Sequence, residues 1–160
     1  MPYFFDTNVF RVLGHYYPET VPDLWNHLDR QAQAGELRST REVKREAEHQ
    51  CEDHVVEWVR RHPKVFPIPS IDEQRAVRSL FEDPANRGLV KQAKANKGLP
   101  VADPFLVAAA SVAGGTVVTQ ESATIDGRIP SVCGRLSIRC INFRDYLREM
   151  SLHFTLAQGD

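Results

Sequence analysis

The chain is 160 residues long, 42% apolar and 26% charged, a composition that excludes wholesale disorder and suits one domain able to bury a core without disulfide or metal staples. Twenty basic residues against twenty-one acidic ones leave a formal net charge of -1, which excludes bulk attraction to a polyanion, so any such partner requires a local patch. Cys51, Cys133 and Cys140 form no CxxC pair and are odd in number, against a secreted disulfide framework. No apolar run approaches the ~20 residues of a membrane helix and no basic segment leads into an apolar one, so the expectation is a cytoplasmic protein with no membrane segment.

Tyr3-Phe4-Phe5 is a short apolar run, a strand, and leads straight into DTNVFRVLG. From PDLWNHLDRQAQAGEL onward, Leu24, Leu28 and Ala32 recur at helical spacing before a stop at Gly35, so a strand and a helix pair open the chain. STRE at 39–42 reads as a capping box, Ser39 as N-cap and Glu42 reaching back, with a helix through Glu48 or beyond. HPKVFPIPS breaks it with three prolines, and Ile71 to Asn96 reads as helix interrupted near Asp83-Pro84. Asp103 then reads as an N-cap before Pro104; FLVAAASVA is apolar nearly all round, a buried helix, and Gly114-Gly115 ends it. TVVT is an uninterrupted β-branched run of the kind covered on both faces in a parallel sheet. SIRCI adds a short strand, and NFRDYLREM a closing helix with Phe143, Leu147 and Met150 on one side. Alternating strands and helices predict one domain over 1–150, a three-layer α/β/α sandwich around a parallel sheet, with a tail at 151–160.

In an open parallel sheet, sites form at the carboxyl ends of the strands. Asp6 ends the first strand, Asp103 begins the helix before TVVT, and Glu121 lies just beyond its carboxyl end, so three acids distant in sequence are expected to converge. Converging carboxylates repel unless a counter-charge is present. Oxygen-only donors suit Mg²⁺ or Mn²⁺ rather than Zn²⁺, ions that stay partly hydrated and engage phosphates, which points to phosphoryl chemistry with an activated water in line with a phosphodiester. The helix after STRE offers Glu42, Glu46 and Glu48; Glu46 lies nearest the Val43/Ala47 stripe and is the fourth candidate. Taken singly, Asp6 and Asp103 also read as helix caps, Glu46 as a solvated helix acid and Glu121 as a loop acid.

FDTNVF, EVKREAE, ADPFLVAAA and VVTQE, in that order, resemble the four acidic motifs of PIN-domain nucleases, and especially a compact bacterial branch ending in an IPxxC segment like IPSVCGRLSIRCINF. The resemblance spans Tyr3 to about Leu147. It implies a metal-dependent endoribonuclease, often the toxin of a toxin–antitoxin pair of the VapC kind, with RNA and a cognate antitoxin as partners and homodimers common. Carried over by position, it implies Asp6, Glu46, Asp103 and Glu121 as catalytic metal ligands, with Thr7, Asn8 and Thr119 supporting them. The fourth position is aspartate in many PIN nucleases; here it is Glu121, with Asp126 as a rival. An antitoxin arginine inserted among the carboxylates would block such a site.

Arg41, Lys44 and Arg45, close to Glu46, are candidates for guiding RNA, as is the stripe Arg87, Lys91, Lys94 and Lys97, although such stripes also serve as solvated faces. The six histidines show no ligand spacing, and Trp25 and Trp58 occupy helical core positions. The alternative reading is a non-catalytic PIN-fold module that binds RNA or a protein partner. A small-molecule phosphatase of the DxDGT type is disfavoured, because Asp6 is followed by Thr7-Asn8-Val9.

Overall fold

The computed structural model describes residues 1–86, 88–89 and 102–153. The stripe Arg87, Lys91, Lys94 and Lys97, the helix expected as far as Asn96 and the tail beyond 153 lie outside the described residues. In chain order the elements are β1 (Tyr3–Phe5), α1 (Thr7–Leu13), α2 (Pro22–Gln33), β2 (Leu37–Arg38), α3 (Arg41–Gln50), α4 (Asp53–Arg61), α5 (Ile71–Glu82), α6 (Asp103–Ala113), β3 (Thr116–Val118), α7 (Ile129–Arg135), β4 (Cys140–Ile141) and α8 (Phe143–Glu149). Short 3-10 turns occupy Pro63–Val65 and Pro84–Asn86. The strands pair in the order β2-β1-β3-β4, all parallel, and helices flank the sheet in the three-layer α/β/α arrangement expected from the sequence. Among the described residues no helix is long and apolar enough to cross a membrane.

β1 is central because Phe4 and Phe5 are apolar on successive positions and tolerate cover on both faces. Phe5 is fully buried against Phe10, Phe143 and Tyr146, with ring centroids 5.8, 6.2 and 4.9 Å away. Each such pair contributes about 0.5–1.5 kcal/mol beyond area burial, so these rings bind α1 and α8 to β1. Trp25 and Trp58 are buried, as their spacing predicts; the Trp58 indole donates to Asp29 Oδ1 at 2.8 Å, which satisfies its one polar atom. In α8 Phe143 is buried and Leu147 and Met150 pack against the core, but the fully buried anchor is Tyr146, on the same side and not singled out from the sequence.

Four local expectations are corrected. Thr40, not Ser39, caps α3: its hydroxyl accepts from Val43 N at 3.2 Å, while the Ser39 hydroxyl donates to Phe5 O at 2.7 Å. The capping box lies instead at Ser70 and Glu73, where both reciprocal bonds form at 3.1 Å. The helix after STRE is two helices, broken at Cys51-Glu52 rather than at the proline stretch. Asp103 is the first helical residue of α6 rather than its N-cap, because Ala102 already has α-region dihedrals. β2 and α7 were not foreseen.

α6 ends on Gly114 in the left-handed region, φ +64°, which glycine enters without a Cβ penalty. Gly115 is required for a different reason: a Cβ there would stand 2.5 Å from Phe4 Cε2 and 2.8 Å from Pro2 O. Gly115→Ala is therefore expected to destabilise the fold by about 1–3 kcal/mol through overpacking at the entry to β3. Urea denaturation of both proteins measures it; unchanged stability would show that Phe4 can move aside.

Candidate functional site

Strand order reverses at β1: the chain passes from β1 outward to β2, then returns to place β3 on the other flank. This switch point leaves a crevice at the carboxyl ends of β1 and β3, where ligands bind in open α/β sheets. Asp6 leaves β1 there, and its N–H donates to Val118 O at 3.0 Å, extending the ladder by one residue. Its extended backbone caps α1, so Oδ1 accepts from Thr7 N at 2.7 Å. Oδ2 accepts from the Thr119 hydroxyl, also at 2.7 Å, across the switch point.

Thr119 is a junction. Its oxygen donates to Asp6 and accepts from Asn8 Nδ2 at 3.2 Å and from Glu121 N at 3.2 Å. Asn8 Oδ1 in turn accepts from Gln120 N at 3.0 Å. Thr7 reaches the other way, its hydroxyl donating to Glu46 Oε1 at 2.7 Å, and the Ala102 backbone N–H also bonds to the Glu46 carboxylate. Glu46 thereby ties α3 to the starts of α1 and α6. On α3 its neighbours face other partners: Glu42 Oε1 is held by Arg41 at 3.0 Å, with Oε2 buried and without a hydrogen-bond partner among the described residues, and Glu48 pairs with Lys44 and Arg60.

Glu121 points back into the same region. Ile129 N donates to its Oε2 at 2.9 Å, and the Arg128 guanidinium stands 3.7 Å from Oε1. Asp126, the rival, is an exposed strut bonded to Gly127 N, Ser131 and Arg135. The structure therefore brings Asp6, Glu46, Asp103 and Glu121 into one electrostatic group and leaves Asp126 outside it. Of the proposed RNA-guiding residues, Arg41 and Lys44 are paired with acids of their own helix, and Arg45 is exposed. Sequence reasoning missed Arg128, which lies in a loop without periodicity; its position before an apolar helix start was the one available signal. It also missed that Cys133 and Cys140 lie near enough to this group to feel the charges of Asp6 and Glu121.

Burial raises the Asp6 carboxyl to about 7; the Glu121 and Glu46 charges add to the rise, and bonds from Thr119 and Thr7 oppose it. Asp103 is pushed up to about 8, first by burial and then by the charges of Asp6, Glu121 and Glu46, with Arg128 lowering it. Glu46 is raised too, chiefly by burial. Four oxygen donors held in repulsion are chemically suited to a hard divalent cation. Among the described residues, however, no three His, Cys, Asp or Glu side chains stand where they could hold one ion together. The carboxylate oxygens of Asp6, Glu46 and Glu121 are instead engaged by protein donors.

Residues 3–154 match the family model of a Domain of unknown function (DUF4411). No curated protein and no solved structure matches the chain.

Because Asp6 and Asp103 bind protons more tightly folded than unfolded, the protein is expected to lose stability as pH rises from about 4, through the ordinary carboxylate range, to about 8. Asp103→Asn removes one repelling charge. It is expected to stabilise the ion-free protein at pH 8 by on the order of 2 kcal/mol, roughly 4–8 °C in Tm, with the gain fading toward pH 4. Thermal denaturation of both proteins across this range is the check; a gain independent of pH would mean that packing, not charge, is responsible.

Proposed function

The chain belongs to the DUF4411 family, and for this member we propose a metal-dependent endoribonuclease that hydrolyses RNA phosphodiester bonds, with Asp6, Glu46, Asp103 and Glu121 serving a Mg²⁺ or Mn²⁺ ion. One observation carries the reading: four acids from four distant chain segments are gathered, partly desolvated, at the switch point of a parallel sheet, where their mutual repulsion calls for a cation. The PIN-domain resemblance of the same segments supports it. So does the charge of Glu121, and not that of Asp126, acting on Asp6 and Asp103.

Such an ion neutralises phosphate charge and lowers the pKa of a water beside it. Most of the protein's contribution is orientation. Thr119 and Thr7 fix the Asp6 carboxylate from two sides, and Thr7 and Ala102 fix Glu46. Asp103, whose carboxyl is pushed up to about 8 by burial and by the neighbouring carboxylates, is suited to hold a proton at this edge in the ion-free protein. Arg128, partly exposed beside Glu121, offers a guanidinium to a phosphate oxygen arriving at the centre.

The same reading, through the VapC-like resemblance, proposes a cytoplasmic toxin restrained by a cognate antitoxin and able to form a homodimer. The engagement of Asp6, Glu46 and Glu121 by protein donors favours one second reading, a non-catalytic module that uses the acids structurally and binds RNA or a protein.

Purified protein and its Asp6→Asn variant, incubated with a mixed RNA pool in Mg²⁺, in Mn²⁺ and in chelator, separate the two. The expected result is cleavage that needs both metal and Asp6, with a loss of at least 100-fold in the variant and a rise in wild-type Tm on adding Mn²⁺. A fully active Asp6→Asn protein overturns the nuclease reading. Intact RNA together with an unchanged Tm transfers the assignment to the binding module.

A further inference from the structure

Beside the acid centre lies a cavity of about 520 Å³ that none of the residues discussed so far fills. It opens between α1 and the α3–α4 junction, and Asn8 and Gln120 form the wall that it shares with the centre. That wall is rigid: Asn8 is bonded to Thr119 and to Gln120 N, and Thr119 is bonded to Asp6, so the cavity begins two hydrogen bonds from the Asp6 carboxylate. Its size falls in the range of small-molecule sites.

The lining is polar in a particular way. Arg11 is exposed and forms no ion pair among the described residues; it lies five residues along α1 from Asp6, an axial distance of about 7.5 Å. Gln50 is exposed and makes no side-chain hydrogen bond among the described residues, so it presents both a donor and an acceptor. Gln120 Oε1 accepts from Phe143 N at 2.9 Å, which fixes the side chain and leaves its amide N–H groups as donors. The Tyr17 ring lies 4.6 Å from that of His54 and is 47% exposed. One cation, two amides and one aromatic ring are the groups with which proteins hold a phosphate, read a base edge and stack a base face. With one guanidinium, Arg11, and one carboxylate, Glu52, in its lining, the cavity suits a single nucleotide rather than a run of phosphates.

Resting on the ribonuclease reading, we propose that this cavity is the subsite for the nucleotide flanking the cleaved bond, with Arg11 on its phosphate, Gln50 and Gln120 on its base edge and Tyr17 against its base. It makes the chain selective at one position next to the scissile phosphate, and it does so with side chains that take no part in the chemistry.

The test separates binding from cleavage. A labelled single-stranded RNA ten nucleotides long is titrated by fluorescence anisotropy, in Mn²⁺ and over a range of salt, into Asp6→Asn protein and into Asp6→Asn/Arg11→Ala and Asp6→Asn/Arg11→Lys proteins of matched Tm. The expected result is binding about tenfold weaker with alanine, and a slope of log affinity against log salt smaller by about one, with lysine restoring the slope. Gln50→Ala in the otherwise wild-type protein is expected to flatten the base preference on one side of the cut without changing where the metal requirement lies. Equal affinity and slope in the three anisotropy proteins, or no binding by any of them, overturns the subsite. Absence of RNA cleavage by the wild-type protein overturns the reaction assignment instead, and the anisotropy series still decides the cavity.

Discussion

Moving a carboxylate from water into a protein interior costs several kcal/mol unless donors or charges offset it, and Asp6 is only 3% exposed at the end of the central strand. Much of the architecture near the carboxyl edge reads as the set of compensations for that burial. The α1 start supplies Thr7 N, β3 supplies the Thr119 hydroxyl, and the ladder to Val118 holds the backbone so that both bonds reach. Compensation is partial, since the carboxyl still sits at about 7, and the residual strain is shared with Asp103 and Glu46. Groups arranged in this way are stable as a neutral or cation-bound set, which is the physical reason for reading the edge as a functional centre rather than as a cap.

The same bonds unite fold and site. Thr7 both opens α1 and anchors Glu46, Thr119 both ends β3 and anchors Asp6, and the Ala102 N–H both starts α6 and meets Glu46. Ser39, one residue before its helix cap, donates to Phe5 O immediately upstream of Asp6. No layer of the sandwich can shift far without moving one of these carboxylate oxygens.

The fold was legible wherever composition and tertiary context agreed. Tyr3-Phe4-Phe5 and the β-branched run at 116–118 could only be covered strands, and the two glycines after Ala113 could only end the helix. The convergence of Asp6, Asp103 and Glu121 followed from topology alone, without any knowledge of side-chain contacts. Failures cluster where two adjacent residues compete for one job. Ser39 and Thr40 are both good caps, and the choice fell to Thr40 because Phe5 O, distant in sequence, claims Ser39. Asp103-Pro104 has the composition of a cap followed by a first turn, yet the helix begins a residue earlier. The places of Arg128, Cys133 and Cys140 depend on the path of the 121–140 segment, which no period encodes.

Strand order has a temporal side. The groups that define the centre enter at residues 6, 46, 103, 119 and 121, and β3, which supplies the Thr119 bond to Asp6, pairs with a strand made more than a hundred residues earlier. Contacts so distant in sequence form late, because the intervening chain must be ordered first. While the chain is still emerging from the ribosome, the first acid waits without its partners, and a product cut short before β3 carries no assembled centre however well its leading helices fold. The topology itself withholds the assembled centre until β3 has been made.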